Sequence, residues 1–319
     1  MNILLLSAGR RVELYEILKN ELSQISQKSI LFTADANIKN SAVCLVNPKY
    51  SVEIPKALSK DYIKFLKNYC INKQIKIVIP TIDTELEILA SSRDEFEDIG
   101  INIIISDKKI INLCRNKKLQ EELFSIFDIK TPRLFSREKI VYPAFAKPTK
   151  GSRSQDLYVL NSPSDFTQSM DEKDLLFMEF VDPSKYDEYT VDMYFSIKGD
   201  LKSLVPRKRI AVRDGEVSIG KTEKKKLYEL LVKKFIKLPG ARGCLTCQFF
   251  YSKKGGDLIG IEINPRFGGG YPLSYRAGAN FPRLIFQEYL FDQEADFCSN
   301  WKDDLKMVRY DSSVFIEET

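Results

Sequence analysis

The sequence predicts a mixed fold, with an α/β lobe at the N-terminus followed by an α+β region built on antiparallel hairpins. Short apolar runs alternate with amphipathic helical patterns over roughly the first hundred residues, as in parallel βαβ units. Further along, two pairs of apolar strands flank glycine-containing turns at 198–200 and 253–256. The length of 319 residues suffices for two or three compact lobes.

The elements predicted for the first lobe follow in chain order: strand 2–6, helix 12–22, strand 30–34, helix 60–72, strand 76–80, helix 84–96 and strand 101–105. The turn after the first strand has a single glycine, Gly9, instead of the G-x-G-x-x-G pattern of dinucleotide-binding folds. We therefore expect no NAD site in this lobe.

The elements predicted beyond it are helix 108–127, strands 142–148 and 157–160, helix 164–170, strand 175–181, hairpin strands 189–197 and 201–205, helix 221–234, hairpin strands 244–251 and 258–263, and helix 281–289. The helix over 221–234 is strongly basic, but its leucines recur with helical spacing. Its lysines are therefore interpreted as a solvated face.

Composition excludes several classes of protein. A hydrophobic fraction of 44% and a charged fraction of 29% are typical of globular proteins. The net charge of +5 is a small difference between 49 basic and 44 acidic residues, so we expect no nucleic-acid partner. No run approaches the roughly 20 apolar residues of a membrane span, and the N-terminus lacks the features of a signal peptide. A cytoplasmic protein with no membrane partner is expected.

Cysteine and histidine usage narrows the chemistry. The six cysteines are scattered, and Cys244 and Cys247 form one C-x-x-C inside an apolar run, so buried free thiols are expected. The chain contains no histidine, which excludes imidazole bases and histidine metal ligands. Catalysis would rest on carboxylates, lysines, arginines and metal, which suffice for phosphoryl transfer.

The segment GIEINPRFGGG, residues 260–270, carries the strongest chemical signal. Glu262 and Asn264 are two apart at a predicted strand end, so their oxygens point to the same face. Such oxygens suit a magnesium ion that also carries phosphates. Arg266 could stabilise a transferred phosphoryl group, and the glycines could let the backbone approach a substrate. The alternative is a strand that ends in an Asn-Pro turn and a glycine-rich loop.

Two further segments could contribute to the same site. Lys147 ends a predicted strand and precedes a Gly/Ser loop whose N–H groups and hydroxyls could surround phosphates. Glu179 and Val181 end another strand, where exposed backbone could pair with adenine, and Glu188 could bind ribose hydroxyls. The alternatives are an ordinary polar hairpin turn and a charged loop.

In their order and spacing, SAGRR, CRNKK, YPAFAKP, KGSRS, MEFVDPSKYDEYTVD and GIEINPRFGGG resemble an ATP-grasp protein. The similarity is to the single-module group related to the large subunit of carbamoyl-phosphate synthase, and it covers nearly the whole chain. It implies an ATP-grasp fold with a Rossmann-like (pre-ATP-grasp) domain at 1–107. An N-terminal lid subdomain at 108–178 and a C-terminal subdomain at 179–319, with the metal and catalytic site, would follow.

The resemblance also implies site residues. The residues that it implies would bind ATP are Lys117, Lys147, Gly151, Ser152, Arg153, Ser154, Glu179, Val181 and Glu188. The lysines would reach the α- and β-phosphates, and residues 151–154 would cover the β- and γ-phosphates. Adenine would lie at 179–181 and ribose at 188. The implied ligands of Mg²⁺ or Mn²⁺ are Gln248, Glu262 and Asn264. Arg266 would stabilise the transferred phosphoryl group and the acyl phosphate.

The sequence departs from the family pattern at two places. The loop reads GSRS where GSGS is more frequent. Asn116 stands where an aspartate is common, so either Lys117 or Lys118 could contact ATP, and the spacing favours Lys117. One ATP-grasp module is present where carbamoyl-phosphate synthase has two, which argues against that activity.

The implied function is an ATP-dependent carboxylate–amine ligase that works through an acyl phosphate. The partners would be ATP, a small carboxylate and an amine, and two copies could form a homodimer. Arg276 would help hold the carboxylate, as would Arg207 or Arg209, whose alternative is a solvated strand edge. Alternative functions are an ATP-binding regulatory protein without turnover, activation of a small carboxylate such as bicarbonate, and transfer to a sugar amine.

Overall fold

The computed structural model of the chain describes residues 1–149, 156–225 and 227–317. Within this part, the strands form a five-stranded, a four-stranded and a six-stranded sheet. The five-stranded sheet is parallel, whereas the strands of the other two pair antiparallel. The predicted combination of an α/β lobe with an α+β region is therefore confirmed. No described helix combines the length and apolar character that crossing a bilayer requires.

The first lobe alternates strands and helices as the sequence predicts. Its strands are β1 (Asn2–Leu6), β2 (Leu31–Asp35), β3 (Ser51–Glu53), β4 (Ile75–Ile79) and β5 (Asn102–Ile103). Its helices are α1 (Val12–Ile25), α2 (Ala42–Val46), α3 (Tyr62–Asn72) and α4 (Asp83–Glu97). The strand order β3-β2-β1-β4-β5 reverses direction at β1, so the loops after β1 and β4 border a crevice at the carboxyl ends of the strands.

The four-stranded sheet has the order β6-β9-β7-β8. The elements of this region are α5 (Lys108–Arg115), α6 (Gln120–Ser125), β6 (Leu134–Phe135), β7 (Ala144–Pro148), β8 (Tyr158–Leu160), α7 (Gln168–Asp171) and β9 (Leu175–Glu179). The single helix predicted over 108–127 is wrong. Asn116 adopts extended backbone angles, and its side chain accepts a hydrogen bond from the Lys118 N–H at 3.0 Å, which starts a new turn.

The six-stranded sheet has the order β14-β13-β10-β11-β12-β15. The elements are β10 (Tyr186–Phe195), β11 (Leu201–Arg213), β12 (Glu216–Thr222), α8 (Tyr228–Lys234), β13 (Gly243–Ser252), β14 (Leu258–Asn264), α9 (Tyr271–Ala277), α10 (Phe281–Phe291) and β15 (Lys306–Val308). Both predicted hairpins are confirmed. The helix predicted from 221 is wrong at its start, because residues 221 and 222 belong to β12, a strand that the sequence analysis missed together with α9.

Two hydrophobic clusters hold the antiparallel sheet in place. One packs β1 and α1 of the first lobe against α9 and α10, with Leu5, Leu18, Tyr271 and Phe281 among its members. The other lies under the sheet and includes Leu227, Leu231 and Phe235, the inward residues of the basic segment. Five of the six free cysteines are buried, as predicted, and burial raises the pKa of the Cys244 and Cys247 thiols.

Candidate active site

One face of the six-stranded sheet carries the residues predicted to bind ribose and magnesium. Because side chains alternate along a strand, Glu188 and Thr190 share a face of β10. The register places Thr190 opposite Gln248 on β13, and Gln248 opposite Glu262 on β14. The opposite face of the sheet is apolar and buried. Because the apolar side chains of these strands pack on that face, the polar side chains lie in a row on the other face.

Two lysines converge on Glu262 from outside this sheet. Lys117 follows α5 and donates from Nζ to the Pro148 carbonyl at 2.7 Å. Burial lowers the pKa of Lys117, and the Glu262 carboxylate opposes this. Burial likewise lowers the pKa of Lys147 at the end of β7; Glu262 opposes the shift and Lys117 adds to it. Two ammonium groups thus lie close enough to influence each other while sharing one carboxylate, which leaves a local excess of positive charge.

Glu188 lies at the other side of Glu262. Its Oε1 is 3.0 Å from Nε of Arg209 on β11. Burial raises the pKa of Glu188, the Arg209 charge opposes the shift, and the Glu262 carboxylate adds to it. The two glutamates therefore repel each other, and a cation bound between them would relieve that repulsion.

The oxygen donors near Glu262 suit a hard cation. Asn264 donates from Nδ2 to Glu262 Oε1 at 2.8 Å, so its amide oxygen is free to act as a ligand. Gln248, opposite Glu262, supplies another amide oxygen. In the part of the chain that the structure describes, no group of three or more histidine, cysteine or carboxylate side chains could hold a metal. The donor set fits Mg²⁺ whose shell is completed by phosphate oxygens.

Arg266 meets a partner from the first lobe that the sequence analysis missed. Its Nε and Nη2 both donate to the carboxylate of Asp83, the first residue of α4, at 2.9 Å each. Burial alone would raise the pKa of Asp83, but the Arg266 guanidinium outweighs it and holds that pKa below its usual value. Arg11 donates to the carbonyls of Phe267 at 2.9 Å and Thr81 at 3.0 Å, which joins the two loops that carry the pair.

The glycines at 268–270 lie against side chains of the protein itself. A Cβ on Gly268 would lie 2.8 Å from Thr246, and a Cβ on Gly270 would lie 2.1 Å from Nη1 of Arg207. These glycines make room for side chains of the protein itself. The expectation that they also let the backbone approach a substrate stays a prediction.

Arg207 is not on a solvated strand edge, because it is 1% exposed. Its Nε and Nη2 donate to the buried Asp192 carboxylate at 2.8 and 3.0 Å. Ser274 also donates to Asp192 at 2.6 Å, and the Thr246 hydroxyl lies 3.3 Å from the same carboxylate. Arg276 lies exposed in the last turn of α9, and no described hydrogen bond or ion pair joins it to the cluster around Glu262. Of the three arginines considered for the substrate carboxylate, Arg209 alone contacts that cluster.

Of the remaining predicted positions, Glu179, Val181 and Lys118 lie within the described residues. The backbone of Glu179 pairs with Arg133, while no described hydrogen bond engages the backbone of Val181, which leaves it free to meet a ligand. Lys118 is exposed and lines a separate cavity of about 350 Å³ beside Phe135 and Phe177, so Lys117 is the lysine that reaches Glu262. Gly151, Ser152, Arg153 and Ser154 lie outside the described residues.

The position of Asp83 in the sequence carries a signal for a site. Asp83 begins α4 after the short loop that follows β4, and β4 lies beside β1 in the sheet. Polar side chains at such a reversal of strand order commonly face a ligand crevice. Its pairing with Arg266 joins positions 183 residues apart, which no local pattern reveals.

Two family models match separate parts of the chain. The model of a PylC-like N-terminal domain matches residues 3–104. The model described as ATP-grasp in the biosynthetic pathway with Ter operon matches residues 171–312. None of the curated proteins matches the sequence.

Solved structures share the fold at low sequence identity. The biotin carboxylase domain of 2-oxoglutarate carboxylase from Hydrogenobacter thermophilus is 14% identical, with a TM-score of 0.72 over 95% of this chain and 73% of that one. N5-carboxyaminoimidazole synthetase from Staphylococcus aureus is 13% identical, with a TM-score of 0.69 over 92% and 78%. L-amino acid ligase from Bacillus licheniformis is 17% identical, with a TM-score of 0.65 over 91% and 74%.

Residues 171–312 are thus similar to an ATP-grasp protein, and the first lobe is similar to the N-terminal domain of PylC-like proteins. The family resemblance seen in its motifs is thereby confirmed.

Proposed function

We propose that the chain is an ATP- and magnesium-dependent ligase that joins a carboxylate to an amine. The observation that carries the proposal is the convergence of Lys117, Lys147 and Glu188 on Glu262. Two half-buried ammonium groups with one shared carboxylate form a site that is completed by a polyphosphate. The structural neighbours named above, which include ligases, support the same function.

Each part of the site has a proposed task. Lys117 and Lys147 bind the α- and β-phosphates, Glu188 binds ribose, and the 179–181 backbone with the Glu179 side chain holds adenine. Gln248, Glu262 and Asn264 hold magnesium, which when bound neutralises charge on the phosphate oxygens. The loop 151–154 covers the β- and γ-phosphates.

The reaction divides into two balanced steps. A carboxylate oxygen of the substrate bonds to the γ-phosphorus as the bond to ADP breaks, which gives an acyl phosphate. The amine nitrogen then attacks the acyl carbon, phosphate leaves, and the nitrogen loses a proton. Arg266 stabilises charge on the transferred group. Arg209, which lies 3.0 Å from Glu188, is better placed than Arg276 to orient the substrate carboxylate.

A phosphate-release assay that crosses carboxylic acids with amines tests this function. We expect release to require ATP, magnesium, one acid and one amine. Glu262→Gln should lower it by at least about 100-fold, since it removes the one anionic metal ligand. Glu229→Gln, an exposed change on α8, is the control. ATP binding without release for any pair would instead favour a regulatory protein.

Activation of bicarbonate is a second candidate. The Hydrogenobacter thermophilus biotin carboxylase domain, which shares this fold, was solved with MgADP and bicarbonate. Bicarbonate-dependent ADP release in the absence of any other acid would support this candidate. The same structure is a dimer, and a homodimer is likewise proposed for this chain, to be tested by its mass in solution.

A further inference from the structure

Arg266 is held on two of its three nitrogens by a side chain from another lobe. Nε and Nη2 donate to the two Asp83 oxygens at 2.9 Å each, and Nη1 donates to the Phe267 carbonyl at 3.2 Å. Both side chains of the ion pair are 17% exposed, so solvent screens the contact weakly. A bidentate pair fixes the plane of the guanidinium as well as its position.

The backbone on each side of the pair is fixed as well. Arg11 spans the lobes by donating to the Thr81 and Phe267 carbonyls, and Thr246 donates from Oγ1 to the Arg266 carbonyl at 3.1 Å. Burial, followed by the charge of Arg266, lowers the pKa of Arg11 to about 10. Among the described residues, Asp83 supplies the carboxylate that accepts hydrogen bonds from the Arg266 guanidinium. Its negative charge offsets the repulsion between Arg11 and Arg266.

We propose that Asp83 is a positioning residue, through which the first lobe holds Arg266 in the orientation that the reaction needs. The inference rests on the proposed function, because it assigns a task to the arginine at the reacting centre. An arginine without such a partner would lose conformational entropy when it contacts the transferred group. That loss would raise the activation free energy of the reaction. With Asp83 in place, the guanidinium is ordered before the substrate arrives.

The proposal makes a specific kinetic prediction. Asp83→Asn preserves shape but removes the charge, so we expect kcat to fall by between about 10- and 100-fold. The KM for ATP should stay within about twofold, because Asp83 is not among the residues proposed to bind the nucleotide. Asp83→Glu should restore part of kcat. Glu87→Gln, an exposed change one turn further along α4, should match the wild type.

A spectroscopic measurement separates this proposal from the proposed function. In an NMR spectrum of the arginine side chains, the Arg266 Nε–H, assigned with an Arg266→Lys variant, should exchange slowly in the wild type and rapidly in Asp83→Asn. This readout needs no substrate, so it still decides whether the pair restrains Arg266 if no acid and amine give turnover. Unchanged kcat in a folded Asp83→Asn variant, or an Nε–H that stays protected without the carboxylate, would overturn the proposal.

Discussion

At the scale of single residues, the notable feature is an excess of half-buried positive charge around Glu262. Lys117 and Lys147 both have a lowered pKa because burial disfavours their ammonium groups, and the Glu262 carboxylate compensates only in part. Such an arrangement is unfavourable in an empty site and favourable once a polyanion binds. The buried ammonium groups therefore cost free energy in the folded protein. A bound nucleotide would remove that cost, because its phosphates would neutralise the positive charge.

Adjacent lysines provide a matched test of this site. Lys117→Ala should raise the KM for ATP by about tenfold or more, because it removes a charge-assisted contact to phosphate. Lys118→Ala should change the KM by less than about twofold, since the Lys118 side chain is exposed to solvent. The measurement is ADP release at varied ATP, and a larger effect of Lys118→Ala would reverse the assignment.

Part of this residue-level arrangement could be predicted from the sequence. Strand alternation places Glu262 and Asn264 on one face without reference to any other element. The spacing of the sequence favours Lys117 over Lys118, and the structure adds that Asn116 interrupts the predicted helix just before them. Asn116 stands where an aspartate is common, but a capping role depends on backbone angles that the residue type only favours.

At the scale of elements, a buried polar network holds the segment from β14 to α9 in place. Arg207 and Asp192, on neighbouring strands, form an ion pair that Ser274 of α9 completes. Gly270, at the start of α9, gives the Arg207 guanidinium the space that it needs. The glycine-rich sequence therefore serves the packing of the loop that follows Arg266.

Substitution of this glycine should be costly. Gly270→Ala would put a Cβ 2.1 Å from Arg207 Nη1 and 2.9 Å from Val217, so we expect a loss of about 1–3 kcal/mol in the free energy of unfolding. The comparison is Gly269→Ala, whose Cβ would lie nearest the carboxylate of the flexible Glu216 side chain, at 3.0 Å. Urea unfolding of both variants measures the difference, and equal stability of the two would contradict the packing role.

At the scale of the whole molecule, the first lobe shares its core with the rest of the chain. Ile3, Leu5 and Leu18 belong to the same buried cluster as Tyr271 and Phe281. Arg11 and Asp83 add polar contacts across the same boundary. The lobes are thus joined by apolar and charged contacts close to the proposed reacting centre.

The predicted first unit should therefore be unstable when isolated. A fragment of residues 1–107 would expose the α1 face that packs on α9 and α10, so we expect it to bind a hydrophobic dye and to lack a cooperative thermal transition. The intact chain is the control, and circular dichroism with dye fluorescence is the measurement. A fragment that melts cooperatively without binding dye would show that the shared core is dispensable.

The sequence alone determined the chemical repertoire and the main alternation of elements. A chain without histidine but with paired oxygen ligands and strand-end lysines can be interpreted locally, because alternation along a strand and motif spacing are short-range properties. Only the tertiary structure decided that Asp83 holds Arg266, that Arg207 is buried against Asp192, and that the glycines accommodate side chains of the protein. These contacts join residues distant in the chain, and their geometry depends on how the sheets pack.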